Sequence, residues 1–290
     1  MQNRLMALSA LLITSTLITS TLTTGAPVFA QSADDEPVSK CLAIANNMQM
    51  PRVTFASMTA SPLDLVNEDD DVTLTFAGHS TWTIETPEGV RIATDFSGFW
   101  GGDPTPRIVT MNRAHSSHFT LTPDPAIEFV LQGWDTGNAL GIDHDLVVDD
   151  VYVRNVTTDI RRWNTDGINV NQNSIFIFEV AGLCIGHLGH LHHALTDEHF
   201  RQIGRLDVLM APVDGGLTMS HAGMAELTQR LRSSVVLPMH LRGNSISNFI
   251  NMMGSEWRAD FLDGNTITLN IRSLPSQPTI YIPESLAWRG

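Results

Sequence analysis

Residues 173–196 read NSIFIFEVAGLCIGHLGHLHHALT, and this stretch decides how the rest of the chain is interpreted. The apolar runs 174–180 and 183–187 are typical of buried strands. Four histidines, at 187, 190, 192 and 193, fall within seven residues at the end of the second run. Loops at strand ends hold side chains rigidly, and imidazole is the commonest protein ligand for metals. The stretch therefore predicts a metal site or an acid/base site.

Histidines elsewhere in the chain also follow predicted strands. His115 and His118 come just past a strand-like run at 106–111, His79 follows a run at 72–76, and His240 follows a run at 234–239. Any one of these histidines, taken alone, is more typical of a structural or surface residue than of a ligand. Their shared placement at strand ends favours a single site.

The remaining patterns predict one layered domain over residues 71–290. The runs 72–76, 81–86 and 90–94 alternate between apolar and polar residues and are separated by turn residues, which is typical of a β-meander. A further strand is predicted over 145–157. Helical patterns near 196–204 and 221–233 are each followed by an apolar strand. A sheet-rich first half with a strand–helix–strand second half indicates layered α and β structure.

The N-terminus predicts an exported protein. Residues 1–30 carry one basic residue, Arg4, then an uncharged stretch ending in Val28-Phe29-Ala30, which fits a signal peptide cleaved before Gln31. A membrane anchor is the alternative, but many Thr and Ser residues interrupt the apolar run. We expect a periplasmic or secreted protein with no membrane span after cleavage, and a leader segment over residues 31–70.

The charge balance limits the classes of partner. With 17 basic and 31 acidic residues, the chain has a formal net charge of −14. Such an excess of negative charge argues against nucleic acid or an anionic membrane as the main partner. A small-molecule substrate is expected, and the sequence does not define an oligomeric state.

The chain has two cysteines, Cys41 and Cys184, far apart in sequence. In an oxidising compartment they would form one disulfide that ties the N-terminal segment to the body. The alternative is that Cys184, inside an apolar run, is simply a small buried hydrophobic residue. The sequence leaves both interpretations open.

Five ordered blocks of the sequence resemble the metallo-β-lactamase superfamily, in particular its lactonase-like and phospholipase-D-like zinc hydrolases. LTFAGHSTWTIETPEGVRIATD (74–95) is similar to the opening hairpins of this branch, and IVTMNRAHSSHFT (108–120) to its VTHAHxDHFD element. Residues 173–196 resemble its NTIFVIEADGLRIAHLGDLGHPLT, while DVLMAPVDGG (207–216) and VVLPMHL (235–241) match later strand ends. The resemblance implies an α+β, four-layer αβ/βα sandwich and a zinc-dependent hydrolase.

Departures from the family motif change the metal site that the resemblance implies. Arg113 stands where the first histidine is expected, Ser117 replaces the aspartate, and His190 replaces the bridging aspartate. The first metal position would keep only His115, with Asp159 as an oxygen donor, and would be empty because a guanidinium stays charged there. The second position would hold one zinc ion through three histidines and keep one position open. Those three ligands are His118, His190 and His240.

The resemblance also implies roles for neighbouring residues. Arg113 would clamp an anionic substrate group or stabilise an oxyanion, unless it forms a surface salt bridge. Asp214 would orient a ligand histidine or act as general base, or alternatively stabilise a turn. His79 would line the cleft or support a ligand, and Ser117 is a further candidate for supporting a ligand or binding substrate. His187 is expected in the core, while His192 and His193 are candidates for proton donation or substrate binding.

Three functions remain open at this point. The leading prediction is a metal-dependent hydrolase that uses a metal-activated water on an ester, lactone, amide or phosphodiester bond. The alternative is a non-catalytic periplasmic binding protein on a metal-depleted hydrolase fold. A third is a periplasmic metal-buffering protein that uses the histidines between 187 and 193.

Overall fold

The computed structural model describes residues 39–42, 70–112, 115–134, 141–162 and 166–287. The predicted signal peptide, most of the predicted leader segment and Arg113 lie outside these ranges, so their predictions stay predictions. None of the helices in the described ranges has the length and apolar character that a membrane crossing would need.

The described chain contains fourteen strands and four helices. In chain order they are β1 (Val72–Gly78), β2 (Thr81–Glu85), β3 (Arg91–Ala93), β4 (Ile108–Met111), β5 (Phe129–Gln132), β6 (Asp145–Val148), β7 (Val151–Arg161), β8 (Ile168–Val180), β9 (Leu183–His187), α1 (Asp197–Ile203), β10 (Val208–Pro212), α2 (His221–Leu231), β11 (Val235–Met239), α3 (Ser245–Met253), β12 (Arg258–Phe261), β13 (Thr266–Leu269), β14 (Thr279–Ile282) and α4 (Glu284–Ala287).

The first sheet is built around the predicted meander. Its strand order is β13-β1-β2-β3-β4-β5, and β1, β2 and β3 pair antiparallel in sequence order. Along β1 the apolar residues Val72, Leu74 and Phe76 are buried, while the threonines between them are partly exposed. One face of this part of the sheet therefore points into the core, as strict alternation requires.

The second sheet places three site-bearing loops at one edge. Its order is β12-β14-β11-β10-β9-β8-β7-β6, and β9, β10 and β11 run parallel. Parallel strands end at the same edge of a sheet, so the loops after them lie side by side. Those loops carry His190 after β9, Asp214 after β10 and His240 after β11.

The two sheets pack through one hydrophobic core. Side chains from the first sheet, such as Leu74 and Trp82, share a buried cluster with Phe176, Phe178 and Ile185 of the second. Helix α1 packs against β7, α2 against β10, and α3 against α2. Two mixed sheets with few helices confirm the predicted α+β sandwich.

One predicted strand is wrong in its extent. The run 145–157 forms two antiparallel strands, β6 and β7, which turn at Asp149 and Asp150. Asp149 has a φ of 48°, a left-handed conformation that aspartate tolerates better than most residues. The apolar alternation continues on both sides of this turn, so periodicity alone does not detect it.

The N-terminal segment is attached to the body at residues 39–42. Cys41 and Cys184 form a disulfide, which settles the alternatives that the sequence left open. Beside it, the buried Glu179 carboxylate accepts hydrogen bonds from the Ser39 hydroxyl at 2.5 Å, the Lys40 amide at 2.8 Å and the Arg154 side chain at 2.9 Å. A covalent bond and a satisfied buried ion pair therefore hold this segment on β8 and β9.

Candidate metal centre

Four histidines from three loops meet at the end of the parallel strands. They are His115 and His118 after β4, His190 after β9 and His240 after β11, and each offers one ring nitrogen within 4.8 Å of all the others. His118, His190 and His240 are buried, whereas His115 is exposed. The structure therefore brings together the four histidines that the sequence singled out as metal ligands. We call this group the histidine cluster.

The three buried rings form a compact triangle. Ring centroids are 4.5 Å apart for His118 and His190, 4.9 Å for His190 and His240, and 5.2 Å for His118 and His240. His115 lies 4.4 Å from His118 but 6.4 Å from His240. The exposed ring thus occupies the outer edge of the cluster.

A buried aspartate orients His118. Asp95, just after β3, contacts His118 Nδ1 through Oδ2, and the same oxygen accepts a hydrogen bond of 2.5 Å from the Ser80 hydroxyl. Burial would raise the pKa of Asp95, but the charge and hydrogen bond of His118 outweigh it and hold the pKa below its usual range. A carboxylate on Nδ1 fixes the ring so that Nε2 faces the cluster.

A second aspartate orients His240 in the same way. Asp214 Oδ2 lies 2.8 Å from His240 Nδ1, and Oδ1 accepts the amides of Gly216, Leu217 and Thr218 at 2.9, 2.5 and 2.9 Å. Burial raises the pKa of Asp214, but these hydrogen bonds outweigh it and lower the pKa. With its oxygens bonded in this way, Asp214 orients His240 and stabilises a turn. Its carboxylate oxygens therefore have little capacity left to accept a proton as a general base.

His190 is positioned through its backbone. Its amide donates to Asn173 Oδ1 at 2.8 Å, and the Asn173 amide group is held in turn by the Thr158 hydroxyl at 2.8 Å. The preceding Gly189 has a φ of 60°, and a Cβ there would lie 2.0 Å from Asn112 Nδ2. Only glycine fits this turn, and it brings His190 Nδ1 to 2.9 Å from His118 Nε2.

Ser117 links the exposed histidine to His79. Its hydroxyl lies 2.6 Å from His115 Nδ1 and 3.2 Å from His79 Nε2. The His79 ring is 4.5 Å from the His240 ring and 5.2 Å from the His118 ring. The structure thus places His79 and Ser117 beside the cluster, where the sequence proposed supporting or substrate-binding roles.

Burial lowers the pKa of three imidazoles at the site, those of His79, His115 and His190. Burial, reinforced by the neighbouring His118 and His240, lowers the pKa of His190 and of His115. Burial and His240 lower the pKa of His79 to about 4. Neutral imidazole is the form that binds a metal ion.

Strained backbone surrounds the cluster. His79, Asp95 and His240 have φ values of 53°, 50° and 55°, in the left-handed region that non-glycine residues rarely adopt. The His240 amide donates to the His79 carbonyl at 2.8 Å, which ties two of these residues together. Such conformations are retained where the surrounding structure holds them, often at functional sites.

His187, which was expected in the core, and Asp159 both have structural hydrogen bonds. Both ring nitrogens of the buried His187 are used within the protein: Nε2 donates to the Ser80 carbonyl at 2.9 Å and Nδ1 accepts the Gly189 amide at 3.1 Å. Asp159 accepts the Asn171 amide at 2.9 Å and is not part of the histidine cluster. His193 lies farther out, with its ring 6.3 Å from that of His192.

Sequence reasoning did not assign roles to Asp95, Asn173 or Arg161. Asp95 could have been noticed because it ends a strand in the first matching block. Asn173 and Arg161 act through contacts across strands and loops, for which the local sequence carries no signal. Arg161, the last residue of β7, donates through Nη2 to the carbonyls of Gly216, Leu217 and Thr218 at 2.9, 2.8 and 2.7 Å.

The donor set fits a metal ion. His240 Nε2 is buried and has no hydrogen-bond partner among the described residues, although its Nδ1 is anchored on Asp214. A buried ring nitrogen without a partner is costly unless a ligand satisfies it. Three imidazoles with one open direction suit a zinc-type ion. In two of them, His118 and His240, an aspartate binds the ring nitrogen that faces away from the cluster.

Comparisons with known proteins agree with the fold. Among solved structures, a candidate Zn-dependent hydrolase of the metallo-beta-lactamase superfamily from Thermotoga maritima is similar, with 23% identity, a TM-score of 0.53, and coverage of 73% of this chain and 98% of that chain. A candidate metal-dependent hydrolase from Parabacteroides distasonis has 14% identity, a TM-score of 0.50, and coverage of 63% and 89%. At these identities the likeness shows the fold alone.

No curated protein matches the sequence. The profile of the family described as "Beta-lactamase superfamily domain" matches residues 73–240, which is more than half of the chain and includes all four cluster histidines. The chain therefore belongs to the metallo-β-lactamase superfamily.

Proposed function

We propose that this chain is an exported metal-dependent hydrolase that holds one zinc ion and acts on an ester, lactone, amide or phosphodiester bond. The observation that carries the proposal is the histidine cluster, with three buried imidazoles and one exposed imidazole whose nitrogens lie within 4.8 Å of one another. Membership of the superfamily supports hydrolysis, but the fold does not select the bond.

A single ion is favoured by the burial of the cluster. His118, His190 and His240 would hold the ion, and His115 would sit at its open edge. The carboxylates of Asp95 and Asp214 lie behind two of the three ligands, so their two negative charges would offset the charge of a divalent ion. No carboxylate in the described ranges joins the group, which gives a second ion no oxygen ligand there.

The residues present suit activation of water at the open edge. A bound zinc ion would supply Lewis acidity and lower the pKa of a water molecule. Ser117 and His79 lie beside His115 at this edge and would orient the incoming water or substrate by hydrogen bonds. Asp95 and Asp214 keep the ligand rings in the tautomer that presents Nε2.

Export is supported by the disulfide between Cys41 and Cys184, since such bonds persist mainly in oxidising compartments. The predicted cleavage before Gln31 is checked by mass spectrometry of the protein recovered from a bacterial periplasmic extract. A mature N-terminus at Gln31 is expected, and an intact Met1 in the cytoplasmic fraction would contradict the proposal.

One observation favours the alternative of a binding protein on a metal-depleted fold. His190 Nδ1 lies 2.9 Å from His118 Nε2, whereas two nitrogens on one tetrahedral zinc ion are about 3.4 Å apart. The two rings can therefore close the site by a direct hydrogen bond. The metal-buffering alternative receives less support, because both ring nitrogens of His187 are already used.

Hydrolysis assays with a matched variant test the proposal. The mature protein reconstituted with zinc is assayed against 4-nitrophenyl esters, aliphatic lactones and bis(4-nitrophenyl) phosphate, beside His118→Ala. Turnover by the wild type that the variant loses is expected. A zinc-loaded protein that hydrolyses none of these substrates, or a variant with equal activity, would favour the binding protein.

A further inference from the structure

Arg161 lies beside the histidine cluster. It is the last residue of β7, and its amide donates to His192 Nδ1 at 2.7 Å. The His192 ring lies 4.8 Å from the ring of the cluster residue His190. The His192 imidazole therefore lies between the Arg161 backbone and His190, which is a proposed metal ligand.

The guanidinium is fixed against the loop that orients His240. Its Nη2 donates to the carbonyls of Gly216, Leu217 and Thr218 at 2.9, 2.8 and 2.7 Å. The amides of the same three residues donate to Asp214, which holds His240. The backbone of residues 216–218 therefore lies between the Arg161 guanidinium and the Asp214 carboxylate. The guanidinium is on the side of this loop that faces away from Asp214.

The charge of Arg161 has no carboxylate partner within the described ranges. Among the described residues, its side chain donates from Nη2 to three neutral carbonyls, and Nε and Nη1 have no acceptor there. Six other described arginines are paired with carboxylates in this acidic chain. The exposed guanidinium of Arg161 therefore keeps a full positive charge at the side of the site.

A guanidinium in this state is prepared to bind an oxyanion. Nε–H and the Nη1 hydrogens lie on different edges of the planar group, so each can donate a separate charge-assisted hydrogen bond to a carboxylate or phosphate oxygen. The three carbonyls already restrict the side chain, so little further side-chain entropy is lost on binding.

We propose that Arg161 forms an anion subsite beside the histidine cluster, which binds a carboxylate or phosphate group carried by the substrate. The inference rests on the proposed function and narrows its substrate class to anionic esters, lactones, amides or phosphodiesters. The sequence predicted a different arginine, Arg113, as the group that clamps an anion.

Paired substrates of equal length test the subsite. The kcat/KM values for mono-4-nitrophenyl glutarate and 4-nitrophenyl pentanoate are measured for the zinc-loaded wild type, Arg161→Gln, Arg161→Lys and Arg162→Gln. Arg162 is the matched control, because it is exposed, follows Arg161 directly, and its guanidinium has one acceptor in the described ranges, Asn169 Oδ1 at 3.3 Å. Competition by inorganic phosphate and by glutarate separates the two anion classes.

The wild type is expected to prefer the glutarate ester. In Arg161→Gln, the ratio of the two kcat/KM values should fall by about 10- to 100-fold, as expected for removal of a charged hydrogen-bond donor. Arg161→Lys should keep part of the wild-type ratio, and Arg162→Gln should keep all of it. A wild type without the preference, or an Arg161→Gln variant that slows both esters equally, would overturn the subsite but not the hydrolase. Equal slowing would show that Arg161 only supports the loop.

A binding experiment covers the case in which no ester is hydrolysed and the proposed function itself fails. Glutarate and inorganic phosphate are titrated into the metal-free protein at pH 8 by calorimetry. Saturable binding of either anion that Arg161→Gln loses and Arg162→Gln keeps supports the subsite. Equal binding by both variants, or no binding by the wild type, overturns it.

Discussion

Replacing Asp214 by asparagine changes one atom of the site and should block a metal ligand. Three backbone amides bind Oδ1, so the asparagine oxygen must stay there and its NH₂ group must take the place of Oδ2. That group would then face His240 Nδ1, which lies 2.8 Å from Oδ2 in the wild type. Two donors cannot face each other, and His240 must move its proton to Nε2, the nitrogen that points into the cluster.

The size of the effect follows from this change of tautomer. Loss of an outer partner of a metal-binding histidine weakens metal binding by about 10- to 100-fold. That range corresponds to about 1.4 to 2.7 kcal/mol of binding free energy. The turn itself should survive, because the three amides keep their acceptor.

Competition with a chromophoric chelator at pH 7.5 measures the zinc affinity of the variant. Thr218→Val is the matched control, since it removes the other side-chain donor to Oδ2, at 2.5 Å, and leaves the tautomer of His240 unchanged. We expect less than a threefold loss for this control. An Asp214→Asn variant within threefold of the wild type, or a Thr218→Val variant as weak as Asp214→Asn, would refute the reasoning.

Three further predictions concern the cluster and the anchor. His190→Ala should abolish stoichiometric zinc retention, and a variant that still elutes from gel filtration with one zinc per chain would contradict the site. The free energy of unfolding of the metal-free protein should fall as the pH drops from about 6.5 to about 4. In this range His79 and His190 bind protons in the unfolded chain but stay unprotonated in the folded chain, because folding lowers their pKa values. Urea denaturation at pH 7.5 and at pH 5 measures this free energy, and equal values would contradict the prediction. Replacing Cys41 and Cys184 by serine should lower that free energy by up to about 5 kcal/mol, given a loop of 143 residues, and a loss under 1 kcal/mol would contradict an anchoring role.

The sequence predicted those parts of the fold that depend on local pattern. The meander β1–β3 and the parallel strands β9–β11 follow from alternation, turn residues and apolar runs, and their ends coincide with the predicted histidines. The turn at Asp149 was missed because the alternation is the same on both sides of it. The strands β5 and β12–β14 are short and were not predicted, since four residues carry too little periodicity.

The candidate site was predicted unevenly for a similar reason. His118, His190 and His240 follow strand ends that the resemblance places together, so their proximity could be anticipated. Asp95 and Arg161 become part of the site only through contacts between segments distant in the chain, over 23 residues for Asp95 to His118 and 55 for Arg161 to Gly216. Such pairings depend on the register of the sheets, which a single sequence does not specify.

The central claim is that the histidine cluster holds one metal ion, and metal content tests it most directly. Plasma mass spectrometry of the purified mature protein is compared with that of His118→Ala, which removes one of the three rings of the buried triangle. Near one zinc per chain in the wild type, lost in the variant, is the predicted result. No metal in the wild type, even after reconstitution with zinc, would contradict the account.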